Sequence, residues 1–212
     1  MFRWAIVLIL ANLGLLTPSM AAQAIDFTHS AFAQSGKVTS IPIGHAEFCQ
    51  TRPAECRRNT TVVQAVALDE TAWSQLLEVN YKYNTEVRPV TDKDLYLVTE
   101  FWTYPSGAGD CEDYVLAKRR ALIEAGWPAS TLLITVVRQP DGAGHAVLIA
   151  RTDRGDLVLD NQSGKVLRWS ETPYTYIKRQ SQADAGAWVE LFDNRSNMVG
   201  GIPSVSVGST SR

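Results

Sequence analysis

Apolar positions between Leu68 and Asn84 recur at helical spacing: Trp73, Leu76, Leu77, Asn80 and Asn84 share one face, and Asp69 stands where a helix is capped. Two asparagines thus point inward. Buried amides need partners, so they either pin neighbouring backbone or support a site. A second helix is predicted from about Asp110 to Glu124 or Ala125. It follows the loop 104–109 and is stopped by Gly126 with Pro128 just beyond. From Thr131 the period changes: 131–138, 145–151, 156–160 and 166–169 read as strands, separated by turn-rich stretches such as Gln139 to Gly144 and Asn161 to Gly164. Helices followed by an antiparallel meander predict an α+β domain.

The ends of the chain are patterned differently. Arg3, the apolar run Trp4 to Leu16 and the small residues around Ala21, Ala22 and Ala24 have the order of a secretory signal, predicted to occupy 1–24. Thirteen residues rise only about 20 Å as a helix, short of a bilayer's hydrocarbon core, so cleavage is expected rather than a permanent span. Residues 25–40 are weakly patterned and are expected to be weakly ordered. The stretch 193–212, with Gly200, Gly201, Pro203, Gly208 and five serines after Asn194, is expected to be a flexible tail. That leaves 41–192 as the folded domain of a protein expected to be exported.

Twenty Lys and Arg against 22 Asp and Glu give a formal charge of -2 over 212 residues. A phosphate-backbone binder needs a concentrated cationic face, so nucleic acid is excluded as an expected partner. Three cysteines fall in the expected mature chain. In an oxidising compartment Cys49 and Cys56 can bridge a small loop, leaving Cys111 over. A metal reading with His45 fits no common zinc spacing, and two free thiols are the remaining alternative.

Cys111 falls at the start of the second predicted helix, where a thiolate is favoured if an imidazole is near. His145 opens one strand and Asp160 closes the next. A hairpin about Thr152 to Gly155 brings the two level to within a residue; direct opposition puts them on one face, and a one-residue slip on opposite faces. An imidazole oriented by a carboxylate and presented to a thiol is triad chemistry. The backbone N–H of Cys111 is a natural oxyanion donor. Trp102 is considered as a second donor, although a Trp nine residues before a nucleophile is more often core packing. Asp110, Glu112 and Asp113 flank the thiol. They compensate the helix dipole or hold a hard cation, and uncompensated they would oppose thiolate formation.

The runs Gly109-Asp110-Cys111-Glu112-Asp113-Tyr114 with Lys118-Arg119, Gly144-His145-Ala146-Val147-Leu148, and Val158-Leu159-Asp160-Asn161 resemble the bacterial transglutaminase-like cysteine proteinases. The resemblance extends to Phe48-Cys49 with Cys56, Asn80, Asn84, Trp102 with Pro105, and Trp188, over roughly 41–192. It implies a papain/transglutaminase-like fold with Cys111 as nucleophile, His145 as general base and acid, and Asp160 orienting the imidazole. It further implies Ca2+ at Asp110, Glu112 and Asp113. The implied substrate is a large surface adhesin cut near its amino terminus, and the implied partner an inner-membrane cyclic di-GMP receptor that sequesters the enzyme. Two alternatives share the fold: a transglutaminase-type acyltransferase, in which an amine resolves the thioester, and a non-catalytic binding module.

Overall fold

The computed structural model describes residues 31–193 and 195; the expected signal 1–24 and most of the expected tail lie outside them. Seven strands form one antiparallel sheet in the order β1-β9-β8-β4-β5-β6-β7. They are β1 (Gln34–Thr39), β4 (Leu132–Arg138), β5 (Gly144–Thr152), β6 (Gly155–Asp160), β7 (Ser163–Arg168), β8 (Thr175–Gln180) and β9 (Trp188–Phe192). Before the meander come α1 (Ile43–Thr51), α2 (Glu70–Glu86), the short α3 (Asp92–Tyr96) and α4 (Cys111–Glu124). Two-residue strands β2 (Arg88–Pro89) and β3 (Ala108–Gly109) pair in parallel between them. Among the described residues no helix is long and apolar enough to cross a membrane.

Strand alternation divides the core between the two sheet faces. Ala146, Leu148 and Ala150 of β5 join Leu157 and Leu159 of β6 under the helices, with Leu76, Val115 and Leu122. Val147, Ile149 and Val158 face the other way, toward Trp169, Tyr174 and Tyr176. Successive residues point to opposite faces, and because both faces are covered β5 and β6 are apolar without alternation.

Helix α2 begins where its cap predicted, with Ala72 N–H donating to Asp69 Oδ1 at 2.8 Å. Its buried stripe is narrower than the sequence suggested: Ala72, Leu76 and Asn80 are covered, whereas Trp73 and Leu77 remain more than a third exposed. The helix rests on α4, β7 and the end of β6 at the sheet's margin, so a narrow row of side chains suffices. In α4 two of the three consecutive basic residues are internal. Lys118 and Arg119 are buried, and Arg119 Nε donates to Leu132 O at 3.0 Å.

The stretch 25–40 departs from its expected weak order where it is described. Gln34–Thr39 is the edge strand β1, paired antiparallel with β9. Its mostly exposed side chains explain the weak sequence pattern, since the strand is held by backbone pairing. Just before it, Ala33 N–H donates to Asp156 Oδ2 and Asp156 N–H to Ala31 O. Gly155 adopts φ +110°, and a Cβ there would meet Ala31 O at 2.4 Å, so the close approach requires glycine. The expected tail is also anchored at its start: Arg195 donates to Trp169, Ser170, Thr172 and Tyr174 carbonyls.

Candidate active site

The β5–β6 hairpin pairs Leu148 with Leu159 and Thr152 with Gly155. Carried one residue further, that register sets Asp160 level with Val147, two residues along from His145. An offset of two keeps both side chains on one face, as direct opposition would have done. His145 Nε2 and Asp160 Oδ1 lie 2.9 Å apart, both residues buried. With Nε2 carrying the proton to the carboxylate, Nδ1 is the nitrogen left to act as base.

Asp160 is hydrogen-bonded at both oxygens. Oδ1 also accepts from Gln162 N–H at 2.9 Å, and Oδ2 accepts from the Tyr174 hydroxyl at 2.5 Å. The Tyr174 ring also meets the His145 imidazole edge-on, with centroids 5.5 Å apart. Burial alone would raise the Asp160 carboxyl, but the bonds from His145, Tyr174 and Gln162 outweigh it and hold it below its ordinary value.

Cys111 is the first residue of α4. Its thiol donates to Glu112 Oε2 at 3.0 Å, and the sulfur is hydrogen-bonded by the backbone of Ala146, the neighbour of His145 on β5. Imidazole and carboxylate are thus directly joined, and the sulfur reaches the next residue of the imidazole's own strand. Burial pushes the thiol well up, the Glu112 carboxylate adds to this, and the Ala146 hydrogen bond opposes it.

The acidic residues divide into two sets. Asp92, Asp110 and Asp113 each bring a carboxylate oxygen within 4.8 Å of the other two. Each uses one oxygen on a backbone amide: Asp92 on Phe101, Asp113 on Thr103 at 2.9 Å, and Asp110 on Asp92 at 3.4 Å. Each also keeps one buried oxygen without a partner: Asp92 Oδ1, Asp110 Oδ1 and Asp113 Oδ2. Asp110 occupies the cap position of α4 without capping it, its side chain being turned to this cluster. Gly109 makes room, because a Cβ there would lie 2.5 Å from Asp113 Oδ2. Burial raises Asp113 to about 7. Glu112 is instead turned to the thiol and to Asp110; burial first, then those Asp110 contacts, push it up to about 9. Three convergent carboxylates with orphaned oxygens are the donor set of a hard divalent cation.

Residues 35–196 match the family model for bacterial transglutaminase-like cysteine proteinases, BTLCP. The chain belongs to this family. As a BTLCP member it is a cysteine peptidase with a transglutaminase-like fold, and its substrate class is protein. Among solved structures, calcium-bound LapG of Legionella pneumophila is similar, with 26% identity, a TM-score of 0.48, and coverage of 55% of this chain and 68% of that one. EGTA-treated LapG gives 25%, 0.46, 58% and 73%, and a third LapG structure 26%, 0.47, 60% and 73%. No curated protein matches.

Two partners of the BTLCP site escaped the sequence. Asp92 lies 18 residues before Asp110, on a five-residue helix with no periodicity to flag it. Tyr174 follows Asp160 by 14 residues and reaches it from beyond β7. Trp102, considered as an oxyanion donor, gives its indole N–H to Glu100 at 3.1 Å and packs against His45 and Trp188. Cys49 and Cys56 form a disulfide, with Cα atoms 5.6 Å apart, leaving Cys111 as the free thiol.

Proposed function

We propose that this chain is an exported, calcium-dependent cysteine endopeptidase working through Cys111, His145 and Asp160. The observation that carries the reading is the buried His145–Asp160 pair standing beside a helix-terminal thiol that touches the next residue of the same strand. His145 Nδ1 takes the thiol proton as Cys111 Sγ bonds to the scissile carbonyl carbon. The backbone N–H of Cys111, at the first position of α4, is placed to receive the developing oxyanion. The imidazolium then protonates the leaving amine as the C–N bond breaks, giving a thioester. Water, deprotonated by His145, attacks that thioester and releases the acid and the thiol. Throughout, Asp160 holds the ring and offsets its positive charge.

Asp92, Asp110 and Asp113 would hold the calcium, with Glu112 at its border through Asp110. The orphaned oxygens support that assignment. The ion would supply positive charge beside the thiol, reversing a carboxylate field that otherwise opposes thiolate formation. Family membership supports the finer readings: periplasmic location, a large surface adhesin cut near its amino terminus as substrate, and a cyclic di-GMP-responsive membrane receptor as partner.

The test is incubation with candidate surface proteins and calcium, read by fragment masses. Cys111→Ala should abolish cleavage while the circular dichroism spectrum is retained. Undiminished cleavage by the pure variant would remove Cys111 from the mechanism.

A further inference from the structure

We infer that Lys118 is a positioning residue that ties the nucleophile-bearing helix to the turn carrying Asp160. The inference rests on the peptidase reading, since it concerns the same triad. Cys111 and Lys118 lie seven residues apart, two turns along one side of α4. The lysine is fully buried, and its ammonium donates to Asn80 Oδ1 of α2 at 2.8 Å. Asn80 Nδ2 donates onward to Ser163 O at 3.0 Å. One turn further along α2, Asn84 Nδ2 donates to Asp160 O at 2.9 Å and to Ser163 O at 3.0 Å. An unbroken path of hydrogen bonds therefore runs from α4 through two amides of α2 to both ends of the β6–β7 turn.

Ordinary packing does not account for this choice of residue. Lys118 is the eighth of 14 residues in α4, too far from the carboxyl end to serve the helix dipole. A methionine would fill the same interior without desolvating a charge. Burial lowers the lysine to about 7, and the negative charge of Asp160 opposes that fall. The groups that face the ammonium among the described residues are Asp160 from β6, neutral Asn80 from α2, and the Tyr114 ring of its own helix, 5.8 Å from Nζ to centroid. A costly ion beside the triad's own carboxylate is what would be kept for registry, fixing where Asp160 stands relative to Cys111. The asparagines expected from sequence to pin backbone or support a site do both, because the backbone they hold is that of the triad turn.

The test uses iodoacetamide, for which Cys111 is the free thiol, on the full-length protein in calcium. Alkylation rate is measured against pH for wild type, Lys118→Met and Asn84→Ala. A displaced triad should lower the neutral-pH rate of both folded variants by about 10- to 100-fold, as misplacements near 1 Å do. Both profiles should also collapse toward the single rise of an isolated thiol. Variants that melt earlier yet keep the wild-type profile would overturn the inference and leave Lys118 a packing residue. If Lys118→Met does not fold, Asn84→Ala decides, since it removes the α2 bond to Asp160 O and leaves the ammonium in place. If wild type itself behaves as an isolated thiol, the peptidase reading fails instead. Amide exchange at 161–163 then judges the inference: faster exchange in Asn84→Ala supports it, and unchanged exchange ends it.

Discussion

Asp160 and the Asp92–Asp110–Asp113 cluster both withdraw carboxylate oxygens from water, and they are treated oppositely. Asp160 receives three hydrogen bonds from His145, Gln162 and Tyr174, and its carboxyl is held down despite burial. The cluster members each keep an oxygen with no donor, and burial drives Asp113 up. Burial has the same sign in both places, so donor supply decides which side is a finished anion. The imidazole side is complete within the chain. The acidic side is built to be completed by a cation.

The largest effect should come from spoiling the complete side. Asp160→Asn retains shape but favours the wrong imidazole tautomer, and by the triad precedent kcat should fall by about 10⁴. The check is substrate cleavage at saturating concentration, with the melting temperature recorded beside it. A fall below tenfold would mean that Asp160 does not orient His145.

Burial without compensation can be isolated at His45. Its Nδ1 accepts from the Trp188 indole at 3.1 Å, and the Gln180 amide nitrogen lies 3.2 Å from its Nε2. Burial first, then the charge of Arg119, lowers it to about 4 from an ordinary 6.5. It is therefore neutral in the fold while the unfolded chain protonates. Stability is intact above pH 6.5 and is lost as pH falls toward 4, by about 3 kcal/mol in all. Urea unfolding of wild type and His45→Gln at pH 7 and pH 4.5 measures it, and the variant should lose less on acidification. Equal losses would refute the neutral buried imidazole.

Calcium addresses the incomplete side. At 100 times its dissociation constant, free calcium should stabilise the fold by about 2.7 kcal/mol. EGTA should reverse that shift in melting temperature, and Asp92→Asn should require more calcium to reach it. A melting temperature indifferent to both ion and chelator would show that the orphaned oxygens of Asp92, Asp110 and Asp113 are not a cation site.

The same division governs what could be read without coordinates. Cys111, His145 and Asp160 announce themselves because each sits at an element boundary that local signals mark: the loop before α4 and the turn chemistry at both ends of a hairpin. The Cys49–Cys56 disulfide was legible in the close spacing of the two, which favoured it over a metal site or two free thiols. Asp92 and Tyr174 were silent because their contacts are set by how a short helix and a post-β7 loop pack, and no local period records that. Strand β1 was hidden for a related reason, since an edge held through its backbone leaves little apolar alternation. Glu112 shows a further limit. One helical turn cannot aim neighbouring carboxylates at one point, so Asp110 and Asp113 converge with Asp92 while Glu112 turns to the thiol.

Tyr174 gives the finest test of the comparison, because it removes one donor from the complete side and leaves the rest intact. Tyr174→Phe keeps the ring against His145 and deletes the hydroxyl bond to Asp160 Oδ2. A hydrogen bond to a charged group is worth about 1.5 to 3 kcal/mol, so the Asp160 carboxyl should rise toward its ordinary value. A carboxyl held low contributes stability above its unfolded value and loses it as pH falls through its folded value. Raising it should bring acid unfolding to higher pH and lower cleavage by about tenfold, with neutral-pH calcium affinity unchanged. If Tyr174→Phe shifted calcium affinity instead, the two carboxylate regions would be one coupled unit, and the contrast between a finished anion and an unfinished one would be wrong.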